Sequence, residues 1–295
     1  DIVQKLPKTL VAKNFEELYS NLHKDNSQSE EILEIEKRVY DYFKDMKLPN
    51  EPTIYDHLVL SLRPKDLIAT FNWDPFLYQA FVRNGHVGEM PYLAFLHGTV
   101  ALGYSKEDKR SGPAGWYSKA SQNYFEPTRL LYPVDQKNYN QDEFISKEWD
   151  RLKYWLNLDS TKRVTIFGYG APKSDLEAVG LLNEAWGTRD ERNMEQFEII
   201  DIREEETVRN NWDNFIHSHH YDYSTDYFKS SLAFNPRRTS ESYFQHYMPM
   251  TPSEAFSANN PVPTDLKTLL ELWDWHKPLI DAENDWKQKS ENNEK

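Results

Sequence analysis

Leu67-Ile68-Ala69-Thr70-Phe71-Asn72-Trp73-Asp74 is the stretch that organises the rest of the chain. Asp66–Phe71 is a short apolar run of the kind a strand shows when both of its faces are covered, as in a parallel sheet. It ends in polar residues, and Pro75 then opens a helical pattern through Leu77, Ala80 and Phe81. Working outward, Tyr92–Leu96 is a second apolar run, ending at His97-Gly98. Arg163–Phe167 is the strongest strand in the chain; it runs into Gly168-Tyr169-Gly170-Ala171-Pro172, a helix from about Ser174 to Trp186, and another strand at Phe197–Ile202. Strand, helix and strand in succession imply a parallel crossover. The fold class that follows is α/β, a Rossmann-like doubly wound parallel sheet with additional helices at both ends.

Around this centre, residues 14–46 repeat apolar positions at helical spacing, and Lys47–Pro52 breaks the pattern. Residues 101–128 read as a long loop containing Gly112-Pro113, Leu130–Pro133 as a short strand, and Phe144–Leu158 as an amphipathic helix. From about Thr251 the chain is proline-rich, then helical over Leu266–Trp275, with a polar tail from Glu283 expected to fray. Three parts result: a helical part over residues 1–60, read as the truncated start of a domain; a nucleotide-binding domain over 61–250; and a helical extension over 251–295 packed on it. The first residue is Asp rather than Met, so the start is expected to have been trimmed or processed.

Composition narrows the function classes. The 295 residues carry a formal net charge of −13, which argues against generic nucleic-acid binding, since phosphate backbones require a concentrated basic patch. An anionic small molecule remains compatible, because free amides at a helix N-terminus act locally. The chain has no cysteine, which removes disulfides, thiol catalysis and cysteine-based zinc sites. No apolar run approaches the ~18 residues of a membrane span, and a cytoplasmic location is the default expectation. Aromatic residues reach 14%, a content that serves either core volume or stacking platforms.

Three apolar strands end in small or polar residues: Asn72 and Asp74, His97 and Gly98, Gly168 and Gly170. Ligands of open parallel sheets bind at carboxyl ends of strands, so neighbouring strands would converge these residues on one crevice. Gly168-Tyr169-Gly170 is half of a phosphate-binding fingerprint, and Asp201 at the end of the next strand is placed to accept from ribose hydroxyls. Each residue also has a structural reading. The glycines serve a tight turn, His97 a hydrogen-bonded strand end, and Asn72 or Asp74 the cap of the helix that Pro75 opens. His217-Ser218-His219-His220 with Asp222 invites a metal or, equally, a His-rich surface turn; no metal site is assigned. Arg237-Arg238 suits either a pyrophosphate or surface salt bridges, and Glu204–Glu206 a solvated helix face.

Taken together, Thr70-Phe71-Asn72-Trp73-Asp74 resembles the Thr-x-Asn-x-Asp signature of the sirtuin-like superfamily. Leu96-His97-Gly98-Thr99 resembles its His-Gly-Ser/Thr motif, and Phe167 through Asp175 is similar to the Gly-Tyr-Ser-x-x-x-x-Asp turn of its bacterial branch. The motifs stand in family order within roughly residues 55–240. The resemblance implies NAD as a substrate, cleaved at the nicotinamide–ribose bond. It makes His97 the base, with Asn72 orienting ribose or water. Asp74 holds the carboxamide, with Thr70 and Gly98 in the same motifs; Gly168, Gly170 and Asp201 line the adenosine side, and Tyr169 and Asp175 of the same turn are cofactor-binding. The chain departs from the family pattern in three places: it lacks the four-cysteine zinc module, no Gly-Ala-Gly-type loop occurs in residues 1–30, and Gly170 stands where the serine is found. The first departure implies an NAD hydrolase of the kind used in anti-phage defence rather than a deacetylase, with no zinc. The second keeps open a non-catalytic NAD- or ADP-ribose-binding sensor or assembly module. A homo-oligomer or a partner protein is compatible with both.

Overall fold

The computed structural model describes residues 15–26, 29–132, 139, 142–171, 175–188, 190–192, 196–216, 221–239 and 261–293. The chain is mixed α/β, as its pattern predicts. Helices α1 (Phe15–Asn26) and α2 (Glu30–Lys44) open the described part. The single helical pattern over 14–46 is thus two helices, because the Ser29 hydroxyl accepts from the Ile32 amide and caps a new start. Helix α3 (Ile54–Leu60) has its own capping box from Thr53 and Asp56. There follow β1 (Leu67–Thr70), α4 (Phe76–Asn84) and β2 (Tyr92–Phe95), with β1 and β2 parallel in the register Leu67–Tyr92 to Thr70–Phe95.

The stretch expected as a loop over 101–128 is instead a small antiparallel sheet, β3 (Leu102–Ser105), β4 (Arg110–Pro113) and β5 (Glu126–Pro127) in the order β4-β3-β5. Its glycines are steric: a Cβ on Gly103 would meet the Phe125 carbonyl, and one on Gly112 the Phe125 ring. The glycine content that suggested a loop lets strands approach closely. Leu130–Tyr132 is not the expected strand; it is an irregular segment held by the Leu131 amide donating to the His97 carbonyl at 2.9 Å.

Helix α5 (Glu143–Asn157) leads to the second parallel sheet, β6 (Arg163–Phe167), β7 (Gln196–Ile200) and β8 (Tyr221–Ser224), with α6 (Leu176–Trp186) and α7 (Glu205–Trp212) as crossovers. A short helix α8 (Ser231–Phe234) precedes α9 (Leu269–Asn293). The tail from Glu283 is helical rather than frayed, because the Glu283 carboxylate accepts from Arg237 at 2.8 Å. Arg237 is therefore neither a surface group nor open to pyrophosphate: it is 2% exposed and also donates to the Leu60, Leu62 and Glu89 carbonyls. One continuous apolar core runs from Val59 and Leu96 through Trp149 and Trp186 to Phe215 and Leu272. Among the described residues no helix is long and apolar enough to cross a membrane.

Candidate functional site

The parallel register of β1 and β2 sets their carboxyl ends side by side, so the Phe71–Asp74 and His97–Thr99 turns meet. They are tied together: the Val100 amide donates to the Trp73 carbonyl at 3.0 Å, and the Thr99 hydroxyl to the Trp73 and Asp74 carbonyls at 3.3 and 3.4 Å. Thr70 Oγ1 accepts from the Asn72 amide at 3.1 Å, which fixes the turn that leaves Asn72 exposed. Tyr55 lies beside Asn72 and Asp74, and burial raises its phenol pKa. Pro75 is the cap residue of α4; Asp74, one residue earlier, accepts from the Phe76 amide at 3.0 Å, and burial raises its carboxyl pKa. Gly98 has φ +78°, and a Cβ there would strike the Arg129 carbonyl, so its conformation belongs to the turn.

His97 is 7% exposed and lies at the head of a polar cluster. Its Nε2 is 3.2 Å from the Tyr139 hydroxyl and 3.7 Å from Asp175 Oδ1. Tyr139 donates to Asp175 Oδ1 at 3.2 Å, and Tyr169 donates to Asp175 Oδ2 at 2.6 Å. Asp175 occupies the cap position of α6 without capping it, because its carboxylate is turned to the tyrosines. Burial, with the Asp175 charge second, raises both tyrosine pKa values far above the usual phenol range. Both hydroxyls therefore remain protonated donors, and the carboxylate is their shared acceptor. The Phe71 ring stacks on Tyr169 with centroids 4.1 Å apart and meets His97 edge-on at 4.8 Å. Thus the carboxyl ends of β1, β2 and β6 converge, as the pattern predicts.

Gly168, Gly170 and Asp201 form a second corner. Gly168 has φ +67° with open space where a Cβ would lie, and its amide donates to the Ile200 carbonyl at 2.9 Å. Gly170 faces the Arg203 guanidinium, with which a Cβ would collide. Asp201 is 4% exposed, and Arg203 engages both its oxygens, with Nε to Oδ1 at 2.8 Å, holding its carboxyl pKa below the usual range. The structure thus places Asp201 on a cation of the chain. Tyr169 joins the corners: its carbonyl accepts from Trp212 Nε1 at 3.2 Å while its hydroxyl serves Asp175.

Sequence reasoning missed Tyr139, Tyr55 and Arg203. Tyr139 sits in a stretch without periodicity, so no sequence signal marks it. Arg203 was findable as the cation two residues beyond Asp201. The motif residues 172–174 and the histidine cluster 217–220 lie outside the described residues, among which no group of three side chains suited to a metal occurs.

No family model matches the chain, and no curated protein is detectably similar to it. Among solved structures it is similar to a Sir2 in complex with an inhibitor, 2′-O-acetyl-ADP-ribose and a deacetylated peptide, at 13% identity over 72% of this chain and 81% of that one, with a TM-score of 0.39. A Sir2 bound to acetylated peptide matches at 12% identity over 70% and 77%, with a TM-score of 0.38. A mutant Sir2 homologue in an ADP-ribose complex matches at 11% over 71% and 84%, with a TM-score of 0.37.

Proposed function

We propose that the chain binds NAD at the carboxyl ends of β1, β2 and β6 and hydrolyses its nicotinamide–ribose bond. The observation that carries this reading is the linked set His97, Tyr139, Asp175 and Tyr169, within a turn network that also presents Asn72. Breaking an N-glycosidic bond develops positive charge on the ribose ring, and a base with a carboxylate behind it serves that chemistry. The C1′–nitrogen bond breaks and nicotinamide leaves with the bonding pair. A water oxygen bonds C1′, and His97 takes the proton. Asn72, exposed on a turn fixed by Thr70, orients the ribose or that water. Asp175 holds the imidazole in place from 3.7 Å. Asp74, whose half-buried carboxyl has a raised pKa, holds the carboxamide. The backbone turn at Gly168 gives close access for the adenosine side.

A binding module without turnover is the alternative, favoured by the deep burial of His97 and by the occupation of Asp201 by Arg203. Calorimetric titration with NAD and with ADP-ribose, followed by chromatography of the same samples, separates the two. Hydrolysis predicts NAD binding with nicotinamide in the supernatant. Binding of both ligands without nicotinamide selects the module, and binding of neither overturns both readings.

A further inference from the structure

Between β4 and β5 the chain forms a hairpin that leaves three large rings in solvent: Trp116, Tyr117 and Tyr124 are 68%, 64% and 43% exposed. Tyr117 and Tyr124 oppose each other across an antiparallel bridge, so their rings share a face, with centroids 5.2 Å apart. The backbone that carries them is fixed. The Phe125 amide donates to the Trp116 carbonyl at 2.9 Å, the Ser118 amide to the Asn123 carbonyl at 2.8 Å, and Arg110 to the Ser118 hydroxyl at 2.8 Å. The buried Phe125 ring anchors the hairpin against Gly112. The charge of this region runs against that of the whole. Residues 102–129 carry Lys106, Lys109, Arg110, Lys119 and Arg129 against Glu107, Asp108 and Glu126, within a chain of net charge −13. All five cations are exposed, and Lys106, Lys109 and Lys119 have no ion-pair partner among the described residues. Asp108 is already engaged: it accepts from Ser121 Oγ and from Asn123 Nδ2, and these hydrogen bonds hold its carboxyl pKa below the usual range.

We propose that this hairpin binds a short stretch of single-stranded nucleic acid. Its bases stack on Trp116, Tyr117 and Tyr124, and its phosphates meet Lys106, Lys109, Arg110 and Lys119. Exposed aromatic faces set among cations match unpaired bases strung on phosphates, and every base offers such a face whatever its identity. A duplex hides those faces within its own stack. An acidic protein surface matches the cations but leaves the rings without planar partners. The net charge of −13 disfavours a long backbone track without excluding this local one. At about 0.1 M salt, exposed charges more than ~10 Å away are largely screened, so the balance within the hairpin decides. The basic surface ends with the hairpin, which sets the footprint at the low end of the ~4–16 nucleotides that one small module covers. The proposal is independent of the NAD reading.

The test is fluorescence anisotropy of labelled mixed-sequence single strands, DNA and RNA, of about sixteen nucleotides, titrated with the full chain. The expected result is saturable binding of at least one strand, weakening as salt rises and at least about tenfold tighter than to a duplex of the same length. No binding of either strand, or equal affinity for the duplex, overturns the proposal. Trp116→Ala combined with Tyr117→Ala should melt like the parent, because both rings are exposed, and lose at least about tenfold in affinity. Unchanged affinity overturns the proposal. Should that variant not fold, Lys119→Glu at the exposed tip must weaken binding and flatten its salt dependence, and an unchanged affinity there overturns the proposal too. A polyglutamate peptide that displaces the strand at comparable concentration assigns the surface to an acidic protein and overturns it as well.

Discussion

Strands β6 and β7 lie side by side in one ladder, yet all of Gln196–Ile200 is buried while in Arg163–Phe167 only Ile166 is. β7 has a paired neighbour on each side and β6 has one, and β1, also paired once, is half-buried throughout. Gln196 and Glu198 are buried in β7 while apolar Leu67 and Ile68 in β1 are only half-buried, so the number of partners rather than composition sets their burial. The carboxyl-end corner is different again: His97, Tyr139, Tyr169 and Asp175 have their partners within the chain. The groups assigned to chemistry are organised by this fold alone, whereas the sheet beneath them is divided between two ladders.

The largest expected effect breaks or confirms the contrast directly. Phe197 in β7 is wholly buried between Trp186 and Phe215, and Phe197→Ala should destabilise the chain by about 3–5 kcal/mol in urea unfolding. Val164→Ala in half-buried β6 should cost about 1 kcal/mol. Equal losses would mean that β6 is as tightly enclosed as β7.

Buried titratable groups sharpen the same contrast through pH. Burial depresses the pKa of His276 on α9 to about 4, and that of His57 on α3 also falls. The unfolded chain then binds protons that the folded chain does not, so stability is fully present above about pH 6.5 and is lost as pH falls toward 4, by about 3 kcal/mol from His276. Unfolding midpoints at pH 7 and 4.5 should differ in the parent and differ less in His276→Phe.

At the carboxyl ends, Asp175→Asn should lower NAD turnover about 100-fold and reshape its pH profile, because the imidazole loses its anionic neighbour. Thr165→Ala in the middle of β6 should leave turnover unchanged. A loss as small as that of Val164→Ala is expected at Gly170, where an alanine pushes on Arg203 and loosens its pair with Asp201, at about 1 kcal/mol by thermal melting.

Much of this was legible in the sequence. Arg163–Phe167 and the Asp66–Phe71 run are strands because branched apolar side chains cluster there, and Pro75 starts α4 for steric reasons. The convergence of Asn72 and His97 followed from both ending such strands. The β3-β4-β5 sheet was hidden because Gly103 and Gly112 carry loop composition while serving close strand approach. Strand β8 was hidden because Tyr221-Asp222-Tyr223-Ser224 alternates aromatic and polar residues over only four positions without an aliphatic side chain; its half-buried Asp222 accepts from Gln196 and has a raised pKa. Tyr139 and the fate of Arg237 depend on contacts with distant residues, which local pattern does not encode.

The central claim is that His97 works as the base on NAD at the carboxyl ends of β1 and β2. Its most direct test is the rate of nicotinamide release by the parent and by His97→Asn, with unfolding midpoints measured on the same preparations. The account predicts a fall of at least about 100-fold with the midpoint preserved. Equal rates in the two proteins would contradict it.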